Sequence, residues 1–175
     1  DVCSSDLYKR LRQFADLGAQ GVAVEMTSIA VDQCRGTGIE LDIAAFTNFT
    51  QDHLDYHGTM DKYLQCKQLL FTKYLSESPK KKKHAILNAD DPIVAKIQNE
   101  LSVPTITFGS KNADITFAVK AMDFSETQLQ LSGRFGSVSV LARVVGLHNV
   151  YNASLAIGVG IACGLTLEQA ALPFA

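Results

Sequence analysis

Apolar positions along the chain switch between two spacings, and the switches mark out the elements. Leu7, Leu11, Phe14 and Leu17 recur at i, i+4, i+7 and i+10, which predicts a helix over 7–18 stopped by Gly18. Residues 21–26, Gly-Val-Ala-Val-Glu-Met, read as a short buried strand ending on a carboxylate, Glu25. A turn or short helix over 28–34 follows, then a second strand over 41–46 ending at Thr47 and Asn48. Residues 61–74 read as a helix whose apolar face holds Tyr63, Leu64, Leu70, Phe71 and Tyr74. The lysine run 80–83 reads as a solvated loop, 84–88 as a third strand, and 104–108 as a fourth, stopped by Gly109. Between the last two, Asp90, Asp91 and Pro92 open a helix running to about Glu100. Alternating runs over 114–120, 126–132 and 136–143 predict an antiparallel meander. Residues 148–163 are apolar on most sides, a well-buried helix, and Thr166 with Gln169 has capping-box spacing at the start of a last helix that is cut off at Ala175.

Strands alternating with helices predict an α/β fold, a largely parallel sheet with flanking helices plus a small antiparallel meander. Such sheets take ligands beyond the carboxyl ends of their strands, where Glu25, Asn48 and Asn88 are expected. At 175 residues the chain has room for one domain with a real core. Sixteen basic against 18 acidic residues leave a net charge of −2, which supplies no reason for non-specific nucleic-acid binding. The start of the chain has no signal-peptide pattern, and no apolar run reaches the ~18 residues of a membrane span. Cys3, Cys34, Cys66 and Cys163 form no C-x-x-C pair and read as reduced thiols of a cytoplasmic protein. Residues 1–6 fit no pattern that follows.

The densest chemistry lies in residues 48–58, where His53, His57, Asp52 and Asp55 fall within six positions after a strand. Three readings compete: ligands for Mg, Mn or Zn, a general acid and base, or helix caps at a surface. Glu25, if buried, needs a partner or a metal, or it caps the next helix. The fork of Arg35 suits a phosphate or carboxylate, though taken by itself the residue reads as a surface arginine. Lys67 on its helix is unremarkable by spacing. Asn149 and Asn152 stand i, i+3 at a helix start, where they cap it or read a planar heterocycle. No G-x-x-x-x-G-K-S/T loop occurs.

Five segments taken together resemble the Mur ligase family, in the family's order, from residue 21 to residue 152. They are Glu25-Met26-Thr27-Ser28 through Gln33 and Arg35, the stretch Thr47 to Gly58, the helix Tyr63 to Phe71 around Lys67, Ile86 to Pro92, and Gly146 to Asn152. The resemblance is strongest to the branch that adds the third residue of the peptidoglycan stem peptide. It implies that residues 7–175 are most of the central, ATPase domain of a three-domain ligase. The phosphate loop would lie upstream and the amino-acid-selecting domain downstream, so the 175 residues alone are expected to be inactive. It implies ATP as substrate and Mg²⁺ as cofactor, with UDP-N-acetylmuramoyl-peptide and a diamino acid joined through an acyl phosphate. It also implies a cytoplasmic monomer of cell-wall synthesis, with no nucleic-acid partner and no membrane insertion. Carried over position by position, Glu25, His53 and Lys67 (as a carbamate) match magnesium ligands and catalytic residues. Thr27, Gln33 and Arg35 match contacts to the UDP-sugar peptide, and Asn149 and Asn152 match residues near the adenine. Asp52, Asp55 and His57 belong to the signature without individual roles. Thr27 stands where serine is commoner, Ile29 where many members have histidine, and Phe49 where leucine is commoner. The alternatives are another Mur ligase or a folylpolyglutamate synthase. Of another class are a metal-dependent hydrolase built on Asp52, His53 and Asp55, and a non-catalytic nucleotide-binding domain.

Overall fold

A computed structural model describes residues 4–174. By contacts the chain divides into two units, Asp1–Ile39 with Gln51–Leu70 and Glu40–Thr50 with Phe71–Ala175.

The first unit is helical. Helix α1 spans Ser4–Asp16, so residues 4–6 join the helix, while residues 1–3 lie outside the described residues. Its end is closed by Gly18 at φ +83°, the left-handed conformation glycine adopts without a steric cost. Residues 21–27 form no strand, contrary to the sequence expectation: none of them pairs with a described strand, and Val22 and Val24 are exposed. An apolar run becomes a strand only where a ladder takes its N–H and C=O groups, and this run enters none of the described ladders. Helix α2, Ser28–Asp32, begins at Thr27, whose hydroxyl accepts from the Ala30 N–H at 3.1 Å. Helix α3, Leu54–His57, is one turn long and ends at Gly58. Helix α4, Met60–Leu69, is capped by the Thr59 hydroxyl accepting from Lys62 N–H at 3.3 Å, and buries Tyr63, Leu64 and Cys66.

The second unit is a six-stranded sheet in the order β1-β2-β3-β4-β5-β6: Ile43–Phe46, His84–Asn88, Thr105–Gly109, Ile115–Met122, Thr127–Gly133 and Gly136–Ala142. Strands β1 to β4 are mutually parallel, and β4, β5 and β6 run antiparallel, as the pattern predicts. The β1–β2 register pairs Ala44 with Ala85 and Phe46 with Leu87, all buried on one face, where Phe71 of the π-helical segment Leu70–Leu75 meets Phe46 ring to ring at 6.2 Å. The helix predicted over 61–74 is thus α-helical only to Leu69.

Helix α5, Val94–Asn99, starts later than predicted; Asp91 instead accepts from the Ile93 N–H in the turn before it. The connection from β3 to the parallel β4 is far shorter than a usual crossover. Asp114 holds it, its carboxylate accepting from the N–H and hydroxyl of Thr107 at 2.9 and 3.1 Å. The lysine run is a loop, but Lys83 is more than solvated: its ammonium donates to the carbonyls of Ser76 and Ser78 at 2.7 Å each.

Helix α6, Leu147–Ala162, lies on the opposite face, with Val150 and Ile157 in a core shared with Ile86, Phe108, Ile115 and Leu131. Helix α7, Leu167–Ala171, carries the predicted Thr166/Gln169 capping box and a 3-10 turn follows it. Among the described residues Cys34, Cys66 and Cys163 are free thiols; Cys3 lies outside them.

Gly158 lets α6 approach the sheet: a Cβ there would stand 2.9 Å from Ile86 Cγ2. Alanine ordinarily gains about 1 kcal/mol over glycine inside a helix, and overpacking a core costs about 1–3 kcal/mol. Gly158→Ala is therefore expected to lower stability by about 1 kcal/mol, seen as an earlier urea midpoint; an unchanged or later midpoint would show that the helix has room to spare.

Candidate functional site

Within the first unit, α3 and α4 gather aromatic and basic side chains around Tyr63. The His57 ring stacks on the Tyr63 ring at 5.4 Å, and His53 meets it edge-on at 5.9 Å. The Lys67 ammonium, one helical turn beyond Tyr63, stands 5.3 Å from the same ring centroid. His53 and Lys67 are thereby brought to one aromatic ring. They arrive by different means from the single helical face that i, i+4 spacing suggests for His53 and His57. His53 lies outside α3, in a left-handed conformation at φ 52°. Asp52 serves that turn: one of its oxygens accepts from the His53 N–H at 2.7 Å, and the other lies 3.5 Å from His53 Nε2. Burial raises the Tyr63 phenol, with the nearby Asp52 charge adding to it.

Thr27, Gln33 and Arg35 sit around α2. The Thr27 hydroxyl caps the helix, and the Gln33 amide donates to the Tyr56 hydroxyl at 3.4 Å. Tyr56 in turn donates to Asp32 at 2.8 Å, a bond that is the main reason its phenol titrates higher than usual. Arg35 is half-buried and Gln33 exposed. Glu25 departs from expectation: it ends no strand and is exposed, so burial does not oblige it to have a partner. Among the described residues no group of three or more His, Cys, Asp or Glu side chains converges as a metal centre, so Asp52, His53 and Asp55 form no such set.

In the second unit a cavity of about 380 Å³ opens where the sheet rule puts it. Thr47 and Asn48 after β1, Asn88 at the end of β2 and Phe108 on β3 form one side; His148, Tyr151 and Asn152 of α6 form another. Asn88 is buried, and its amide donates to the Thr47 carbonyl at 2.8 Å, tying the two strand ends together. The two asparagines noted in the sequence part company here. Asn152 lines the cavity, while Asn149 donates to the Val145 carbonyl at 2.8 Å and fixes the turn before its own helix.

A second, more polar cavity of about 350 Å³, lined by Asp90, Ser110, Lys111 and Asn112, shares Tyr151 with the first. Tyr151 donates to Asp90 at 2.7 Å, and the same carboxylate oxygen accepts from Ser110 N–H at 2.6 Å. Gly109 leaves the space, since a Cβ there would meet the Asp90 carboxyl at 3.1 Å. Burial works to raise Asp90, but the bonds from Tyr151 and Ser110 and the charge of Lys111 outweigh it and hold the carboxyl below its ordinary range. Burial first, then the Asp90 bond, pushes Tyr151 up to about 12. Sequence reading missed this pair. Its trace in the sequence is that Asp90 lies in the stretch Ile86 to Pro92 and Tyr151 in the stretch Gly146 to Asn152, two segments that nothing in their spacing joins.

An open α/β sheet with a polar cavity at its carboxyl edge is the class that binds ligands at that edge. Residues 4–160 match the family profile described as the Mur ligase middle domain, and the chain belongs to the Mur ligase family. Among its relatives is the UDP-N-acetylmuramoyl-L-alanyl-D-glutamate–2,6-diaminopimelate ligase of Geobacter metallireducens, 34% identical over 166 residues, which are 93% of this chain and 32% of that protein. The Bacillus licheniformis ligase of the same name is 40% identical over 167 residues, 93% of this chain and 34% of that protein. A solved structure of a ligase with that name superposes with a TM-score of 0.86 at 26% identity, covering 99% of this chain and 35% of the other. A MurF ligase from Thermotoga maritima in complex with ADP shares the fold, with a TM-score of 0.63 at 17% identity over 82% of this chain and 32% of the other. The chain spans about a third of the length of the curated relatives it matches.

The Asp90–Tyr151 bond carries a pH signature at both ends. The raised phenol contributes fully below the ordinary tyrosine value of about 10 and loses its contribution as pH rises through about 12. The depressed carboxyl contributes above the ordinary aspartate value of about 4 and loses its contribution as pH falls through its lower folded value. Asp90→Asn is expected to move Tyr151 ionisation part of the way back towards 10, burial keeping the rest, as read by phenolate absorbance. A phenol that still ionises near 12 would remove Asp90 as a cause.

Proposed function

We propose that this chain forms the middle domain of an ATP-dependent ligase that adds 2,6-diaminopimelate to UDP-N-acetylmuramoyl-L-alanyl-D-glutamate in peptidoglycan synthesis, acting as a cytoplasmic monomer. The observation that carries this reading is the convergence of His53 and Lys67 on one tyrosine ring, in a chain whose relatives bear that ligase name. The diamino acid is taken from those names, since the residues that would select it are not identified among these 175. No helix among the described residues is long and apolar enough to cross a membrane.

The reaction proposed is phosphorylation of the terminal carboxylate of the UDP-sugar peptide by ATP. The amine then attacks the acyl carbon, an amide forms, and inorganic phosphate leaves. The cavity suits the adenine, because the Asn152 amide lines it beside Asn48 and His148 with a donor and an acceptor in one plane, while Asn88, bonded to Thr47 and to the Asp90 N–H, holds the wall. Asn149 supports that wall by holding the turn ahead of α6. Thr27, Gln33 and Arg35 orient the peptide; Gln33 is held by Tyr56, and the fork of Arg35 matches a carboxylate or phosphate. Glu25 and His53 have donor chemistry suited to magnesium, and carbamylation would convert Lys67 from a cation to an oxygen donor a hard ion accepts. Magnesium bound there would neutralise charge on the phosphates during transfer. The 175 residues contain no phosphate loop, so on their own they are not expected to release phosphate.

Two experiments on the protein expressed from its native gene test this reading. Lys67→Ala should cut turnover more than about 100-fold, with partial recovery in a short carboxylic acid; wild-type turnover would remove the carbamate role. Asn152→Ala should weaken ADP binding roughly fivefold by calorimetry, the worth of one hydrogen bond. Unchanged affinity would move the nucleotide out of this cavity.

A further inference from the structure

The proposed peptide contacts stand on α2 and the proposed metal ligands around α3 and α4, and one buried contact joins these elements. Ser28, the first residue of α2 and neighbour of Thr27, places its Oγ 2.9 Å from His57 Nε2. Both side chains are buried, at 3% and 6% exposure, so neither is set to meet a ligand directly. The other faces of the His57 ring are also engaged. It stacks on Tyr63 at 5.4 Å with 26° between planes, and meets Tyr56 at 4.8 Å and 79°. Tyr63 is the ring shared by His53 and Lys67, and Tyr56 is the hydroxyl that holds Gln33.

We propose that His57 is a positioning residue that sets the peptide-binding turn of α2 in register with the His53 and Lys67 side chains, through its bond to Ser28 and its stacking on Tyr63. The inference rests on the ligase reading given above. A histidine fits this place because one ring supplies both a directed hydrogen bond and a flat face for stacking. Phenylalanine keeps the face and loses the bond. Alanine at Ser28 removes the same bond from the other side, and suits a helix better than serine does.

Ser28→Ala and His57→Phe, in the protein expressed from its native gene, should each raise the KM for the UDP-sugar peptide about tenfold and raise the magnesium concentration for half-maximal rate in parallel. Each should also lower the carbamate signal of Lys67 after labelling with ¹³C-bicarbonate, which needs no turnover. The double variant should be no worse than the worse single one, because both remove one bond. Unchanged KM, magnesium requirement and ¹³C signal, with only a lower melting temperature, would make the contact structural and overturn the proposal. Additive losses would overturn it too, as would a Ser28→Ala chain that fails to fold. A parent protein that joins no amine to the UDP-sugar peptide overturns the ligase reading and this inference together. A competent parent with indifferent variants overturns this inference alone.

Discussion

The close seating of α6 on the parallel strands is the constraint on which the sheet unit depends. At Gly158 the helix has no side chain between its backbone and Ile86, while Val150 and Ile157 are sealed in the core. A 16-residue helix is stiff enough that fixing one end fixes the other. Its first turns are therefore held beside the carboxyl ends of β1 to β3, and His148 and Asn152 face the cavity as a consequence of packing further along the same helix. Core burial and the lining of the cavity are two faces of one element.

Asp90 does for the rim what Gly158 does for the base. One carboxylate oxygen takes a bond from Tyr151 on α6 and one from the backbone after β3, so a helix and two strand-end loops meet at a single charge. Burial alone would favour the neutral acid; the donors reverse that balance and keep it ionised. The missing Cβ at Gly109 is part of the same device, because an alanine would press on the carboxyl that closes the rim.

Much of this was legible in the sequence because the relevant forces are local. The period-2 runs became the meander, the capping box formed as spaced, and Asn48 and Asn88 lie where strand ends were expected. What was not legible depends on long-range pairing. Val22 and Val24 have the composition of a strand, but composition cannot supply the neighbouring ladder. The left-handed turn at His53 likewise cannot be read from i, i+4 spacing, which assumes a continuous helix. Tyr63 looks in sequence like one more apolar position. Only the fold shows that three basic or aromatic side chains share its ring.

Glu25 shows how a residue can be picked out on a premise that fails. A buried carboxylate at the end of a strand demands a partner, but Glu25 is exposed, so its own energetics demand nothing. The case for it as a magnesium ligand then lies in the family pattern and in donor chemistry. Exposure does not weaken that case. Magnesium gives up its water reluctantly and is commonly held by one or two carboxylates along with phosphates and retained water. A carboxylate already in solvent gives up little further hydration on meeting such an ion. His53 and Lys67 stand on different terms from Glu25, since both are only partly buried and what packing fixes is the buried Tyr63 ring that they share.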